Sequence, residues 1–260
     1  MICTNGFFRK TWLVFLYAVL LAAAARAQEL VINAQGCLAL SNGAPLSGYQ
    51  AGEADFGPWR DSPAREQAVA RQAMNPALRI MLPEELAAVM AYTGSIYKYI
   101  NSPLWHGRLP DSPGEISTIK LLLSGINKLP DYKGGVIRAD FYKLASGGNS
   151  DCATVERRAG EYRAAMAQRR PFITRGFLSA SRVTNQATRR QIISESDIVL
   201  KIHALTAKSL EGISIMRNED EVLFRPGSRF AVVKETSQEI GLKSGGRERR
   251  YQFTLHELPQ

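Results

Sequence analysis

Leu129-Pro130-Asp131-Tyr132-Lys133-Gly134-Gly135-Val136-Ile137-Arg138-Ala139-Asp140-Phe141 is the stretch at which the character of the chain changes. The change comes after Lys133-Gly134-Gly135. Val136–Phe141, rich in branched and aromatic side chains, reads as a strand. Upstream the pattern is helical. Leu82-Pro83-Glu84-Glu85 opens a helix, because proline suits the first turn and acids suit its positive end. Leu86, Val89, Met90, Tyr97 and Ile100 continue it at helical spacing, with a break expected at Thr93-Gly94-Ser95. Pro103 is expected to interrupt the next stretch, and a third helix is predicted over Ile116–Ile126.

Downstream, a helix is predicted over Ala153–Gln168. Strands follow at Gly176–Ser181, Ile198–Ala204, Glu219–Phe224, Arg229–Lys234 and Arg250–Leu255. Helices first and strands afterwards predict an α+β domain rather than a doubly wound α/β sheet. Before residue 79 the composition shifts towards Gly, Ala, Ser and Pro. Residues 28–78 are therefore read as an irregular extension, with a short helix at Ala64–Met74. There is no internal repeat.

The N-terminus has a separate logic. Arg9 and Lys10 precede an apolar run, Trp12–Ala25, and Ala25-Arg26-Ala27 supplies small residues in a cleavage pattern. This layout predicts a secretory signal peptide over residues 1–27, cut near Ala27. An uncleaved anchor is the alternative, although the run is short of the roughly 20 residues a span needs. With Cys3 removed, Cys37 and Cys152 remain, and in an oxidising compartment such a pair can bridge. No C-x-x-C or Cys/His cluster suggests a metal, and His106, His203 and His256 are scattered. A net charge of +9 suits an anionic ligand but also an ordinary basic surface.

Chemistry concentrates at three places. Arg138 stands inside an apolar strand, where an arginine needs a carboxylate partner or an anion; its planar donor fork suits phosphate. In Phe177-Leu178-Ser179-Ala180-Ser181, alternation puts both serines on one side. Glu219-Asp220-Glu221 precedes Val222-Leu223-Phe224 and the turn Arg225-Pro226-Gly227-Ser228, so Glu219 and Glu221 are expected on one face of a strand start.

In this order, the three places resemble the arginine–serine–glutamate class of mono-ADP-ribosyltransferases, which includes secreted bacterial toxins. Tyr92-Thr93-Gly94-Ser95, Tyr97, Ile100-Asn101 and Leu104 are similar to a further segment of that family, and the likeness covers about residues 80–258. It implies a helical N-terminal part and a two-sheet β core around an NAD cleft, in a catalytic domain spanning 79–260. It implies that NAD is the substrate, without a metal. Arg138 would hold the NAD phosphates, and the Ala139 backbone would bond an amide of the NAD. Ser179 would position the catalytic Glu221, and Ser181 would be one of the NAD-binding residues. Glu219 would set arginine as acceptor, Ser209–Asn218 would form the acceptor loop, and the stretch with Arg182 and Asn185 would cover the cofactor. The implied partners are NAD and a target protein with an accessible arginine. No nucleic acid or stable membrane partner is expected, and the chain is expected to be a secreted monomer. Ala180 and Trp105 depart from the family's usual threonine and arginine, and Arg108 is a candidate stand-in for the latter. An NAD glycohydrolase using water, and a catalytically weak NAD-binding module, are the alternatives.

Overall fold

A computed structural model describes residues 29–142, 152–183, 186–215, 220–241 and 247–259. The expected leader, Asn185 and Glu219 lie outside the described residues. No described helix is long and apolar enough to cross a membrane.

A hairpin of β1 (Leu30–Ile32) and β2 (Leu38–Leu40) comes first. Helices α1 (Pro63–Met74), α2 (Pro83–Ala91), α3 (Tyr97–Trp105) and α4 (Pro113–Asn127) follow. Their starts are read from local chemistry. Ser62 caps α1 by accepting the Arg65 N–H at 3.2 Å. At α2, the Glu85 carboxylate accepts the Leu82 N–H at 2.7 Å. Glu85 is buried, and Ser124 of α4 and Lys128 just past its end compensate its charge at 2.6 and 2.7 Å. The predicted break between α2 and α3 is a π-helical turn, Tyr92–Ile96, in which Gly94 leaves helical geometry at φ −100°, ψ −117°.

Two expectations need correction. Pro103 does not interrupt α3 but lies inside it, buried. The helix ends two residues later, so little of it depends on the missing N–H, and the Pro103 carbonyl accepts the N–H groups of His106 and Arg108. The stretch before residue 79 is also less irregular than its composition suggests. Besides α1 it holds the β1–β2 hairpin, and Leu30, Leu38, Leu40, Tyr49, Ala68 and Leu78 join the core of α2–α4. Cys37, just ahead of β2, is a buried free thiol.

The second half is β3 (Asp131–Tyr142), α5 (Cys152–Ala167), β4 (Phe172–Ile173), β5 (Leu178–Arg182), α6 (Gln186–Glu195), β6 (Ser196–Ser209), β7 (Glu221–Phe224), β8 (Arg229–Gly241) and β9 (Arg247–Glu257). The α+β class is as expected. The two-sheet core takes the form of two arms of one hydrogen-bonded network. One arm runs β4-β8-β9-β6-β3, antiparallel except for β6–β9. The other is β5–β7, which joins β3 through Ile137↔Ser181 and β6 through Lys208↔Leu223, closing a four-strand ring.

Two apolar cores flank the β5–β7 arm. Leu178, Ala180, Val222 and Phe224 pack with α5 and the large arm. Phe177 and Leu223 pack with the helical layer. Side chains alternate along a strand, so Ser179 and Glu221 share the side of Phe177 and Leu223 and face the helices. The fold thus sets the polar residues of β5 and β7 against the α2–α3 break.

Candidate active site

Three strands each deliver one of the expected side chains, and the structure brings them together. Ser179 pairs with Leu223 and Ser181 with Glu221 across the antiparallel ladder, so Ser179 and Glu221 are diagonal neighbours on one face. The Ser179 hydroxyl donates to Glu221 Oε1 at 2.6 Å. Arg138 on β3 reaches the same strand and donates from Nη1 to the Ser179 carbonyl. Ser181 is buried on β5 opposite Glu221. Ala139 packs its methyl group with Ile137, Ile192 and Val199, on the side of β3 away from Arg138.

The described part of β7 begins at Glu221, and the expected alignment of Glu219 with it falls on a residue outside the described ones. Asp220, just before Glu221, has φ 43°, a left-handed conformation that ends the alternation. The Asp220 carbonyl is fixed to β5 by the Arg182 N–H at 3.1 Å. Arg182 itself turns to the loop after β6. It bonds Ser209 and Glu211, the latter at 3.0 Å, and lies over the Tyr132 ring. Arg108 pairs only loosely with Asp111, at 3.6 Å, and both are largely exposed.

Glu221 is 5% exposed. Burial raises its pKa above the ordinary glutamate value. Hydrogen bonds from Ser179 and Ser214 and the charge of Arg138 oppose that rise without cancelling it. Ser214, which donates to Glu221 Oε2 at 2.8 Å, carries no signal in the sequence. It lies in a loop without periodicity, and only the closure of that loop brings it to β7.

The helical segment braces the site rather than lining it. Asn101 accepts the Phe177 N–H at 2.9 Å and donates to the Phe177 carbonyl at 3.1 Å and to the Tyr92 hydroxyl at 2.8 Å. It therefore acts as a surrogate strand edge for the start of β5, two residues before Ser179. The close approach needs a glycine next door: a Cβ on Gly176 would lie 2.7 Å from Asn101 Oδ1. Asn101→Ala leaves three buried polar groups without this partner. It is expected to cost about 3 kcal/mol and to lower the melting temperature by about 6–12 °C, read by thermal unfolding. A shift under about 2 °C would show that Asn101 does not hold β5.

Arg138 opens onto a cavity of about 740 Å³ between β3, α5, β4 and the end of α3. Five arginines line it (Arg138, Arg157, Arg158, Arg170 and Arg175) against two carboxylates, Asp140 and Glu161. Asp140 is buried, yet the charges of Arg158 and Arg138 and the bonds from Arg158 and Tyr162 hold its pKa below the ordinary value. Arg158 Nε donates to it at 2.7 Å, as does the Tyr162 hydroxyl at 2.8 Å. Arg138 Nε is buried and has no hydrogen-bond partner among the described residues. A guanidinium donor without a hydrogen-bond partner among the described residues, in a loose ion pair with Asp140 at 3.9 Å and beside a basic cavity of ligand size, fits a diphosphate-bearing molecule.

A Mycobacterium avium (strain 104) protein that bears the provisional name NAD(+)--arginine ADP-ribosyltransferase Mav is 29% identical over 154 residues, 59% of this chain but 16% of its own length. The chain thus corresponds to a small part of that relative. ADP-ribosyltransferase HopU1 of Pseudomonas syringae pv. Tomato DC3000 has a similar fold, with TM-score 0.61 and 16% identity over 81% of this chain and 99% of that one. Exoenzyme S of Pseudomonas aeruginosa, solved with human 14-3-3 protein beta and carba-NAD, gives TM-score 0.51 and 18% identity over 76% of this chain and 83% of its own. The model of the ADP-ribosyltransferase exoenzyme family matches residues 66–254, most of the chain. The chain belongs to the ADP-ribosyltransferase exoenzyme family.

Proposed function

We propose that the protein cleaves the nicotinamide–ribose bond of NAD and transfers ADP-ribose to an arginine of a target protein. The observation that carries this reading is Glu221: a buried carboxylate, hydrogen-bonded at both oxygens, beside an arginine that opens onto a basic cavity. Arg138 and the cavity arginines would bind the diphosphate and leave the ribose against β5 and β7. As the C1′–N1 bond breaks, nicotinamide departs with the bonding pair and C1′ takes up positive charge, as in glycoside hydrolysis. Ionised Glu221, held in place beforehand, stabilises that charge and accepts a ribose hydroxyl.

The arginine acceptor rests on Glu219 and on the name of the M. avium relative. A guanidinium stays protonated at ordinary pH and is a poor nucleophile. Glu219 would grip it through paired hydrogen bonds and take its proton as one nitrogen bonds to C1′. With the leader over residues 1–27, the reading extends to a secreted effector that modifies a protein outside its own cell.

Biotin-labelled NAD with agmatine as a small guanidino acceptor tests the reading. Wild-type protein is expected to release nicotinamide and label agmatine. Glu219→Gln is expected to lose about 100-fold in transfer and to keep nicotinamide release to water within about threefold. Nicotinamide release without any labelling of agmatine would reject the transferase and leave a glycohydrolase. Labelling unaffected by Glu219→Gln would reject Glu219 as the acceptor base.

A further inference from the structure

The geometry points to Ser214 as a second positioning residue for Glu221, presented by a loop that Arg71 of α1 and Thr93 of the α2–α3 break clamp on either side. This inference rests on the reading that Glu221 drives NAD cleavage.

Residues 210–215 of this loop are tied down at several points. Leu210 and Ile213 are buried, at 0% and 1% exposure, and anchor it in the helical core. The N–H groups of Ile213 and Ser214 both bond the Leu210 carbonyl at 2.9 Å, with Gly212 turning the chain at φ 73°. The Leu210 N–H bonds the Glu221 carbonyl at 2.9 Å, so the loop and β7 are tied through the backbone as well. The two peptides flanking Ser214 are then fixed from outside. Arg71 donates to the Ile213 carbonyl and, at 3.3 Å, to that of Gly212. Thr93 accepts the Ile215 N–H at 3.1 Å while donating to the Met90 carbonyl at 2.8 Å. Gly94 makes room for this contact, since a Cβ there would come within 2.8 Å of Ile215 Cδ1.

The consequence lies in the torsion of the carboxylate. The terminal torsion of a glutamate is soft, so one hydrogen bond leaves its plane free to swing. Ser179 from the ladder and Ser214 from the loop hold Oε1 and Oε2 respectively. Each oxygen keeps lone-pair capacity for a substrate hydroxyl. The charge of Arg138 from β3 also favours the ionised form of this carboxylate. A misplacement of a reacting group by about 1 Å can cost about 100-fold in rate. A helix outside the sheet thus governs the orientation of the carboxylate.

The test uses the full chain and nicotinamide release across pH for the wild type, Glu221→Gln, Ser214→Ala, Ser214→Thr and Arg71→Ala. Ser214→Ala is expected to lower kcat about tenfold with KM for NAD changed less than about twofold. It is also expected to move the acid limb of kcat/KM up by about one pH unit, because a donor to the ionised form is lost. Ser214→Thr keeps the hydroxyl and is expected to restore both. Arg71→Ala, a surface change, is expected to move kcat in the same direction by about threefold. Wild-type kcat and acid limb in Ser214→Ala, or a loss that threonine does not restore, would overturn the inference. If Ser214→Ala does not fold, Arg71→Ala decides alone: an unchanged kcat rejects the clamp. A wild type without nicotinamide release, or an active Glu221→Gln, brings down the proposed function itself and this inference with it.

Discussion

Glu221→Gln is expected to lower nicotinamide release by about 1,000-fold or more while raising thermal stability at neutral pH. The two effects share one cause. Burial in the β5–β7 arm makes the ionised carboxylate unfavourable, and its folded pKa lies above the ordinary value. Between the unfolded and folded pKa values the folded state holds a proton that the unfolded state has lost. Stability therefore falls as pH rises through that window, and the whole penalty is present above it. Glutamine keeps the shape and the contacts with the Ser179 and Ser214 hydroxyls but carries no charge. Its advantage in melting temperature is expected near pH 7 and should vanish below about pH 4, where glutamate is protonated in both states. Catalysis requires the ionised form, so wild-type kcat/KM should fall on the acid side with a midpoint above the ordinary glutamate range. A glutamine variant that releases nicotinamide at the wild-type rate would remove Glu221 from the mechanism. One that is inactive and no more stable would remove only the link to burial.

Much of this site is legible in the sequence, for identifiable physical reasons. Arg138, Ser179 and Glu221 each lie on a strand, where alternation fixes the side a residue faces before any partner is known. Gly94 marks the break between α2 and α3 because glycine both weakens a helix and permits close approach. What the sequence hides depends on distant closure. Arg71 and Ile213 meet across 142 positions, and no periodicity links a helix arginine to a loop carbonyl. Ser214 is one serine among many until the loop folds onto β7. The left-handed Asp220 is hidden too, since the run from Glu219 to Phe224 has the composition of an unbroken strand. Strands β1 and β2 are three residues each, too short to show a period of two against a background rich in small residues.

Arg138→Lys is the substitution that separates charge from geometry, and it is expected to lower kcat/KM for NAD by about 1,000-fold. The guanidinium spends Nη1 on the Ser179 carbonyl and still has donors for the cavity, where its Nε has no hydrogen-bond partner among the described residues. A lysine offers one point charge and three donors without the planar fork. It can reach the Ser179 carbonyl or a phosphate, but it cannot bridge the two. Both kinetic constants should therefore suffer: KM rises as the diphosphate loses its paired donors, and kcat falls as β5 loses the bond that fixes Ser179 against Glu221. The acid limb of kcat/KM should stay in place, since a positive charge remains near Glu221. Arg138→Ala removes that charge, one of the groups lowering the Glu221 pKa, so its residual activity should show the acid limb moved upward. A lysine variant within about tenfold of wild type would mean that charge alone serves the diphosphate. Equal acid limbs in the lysine and alanine variants would mean that Arg138 does not act on the ionisation of Glu221.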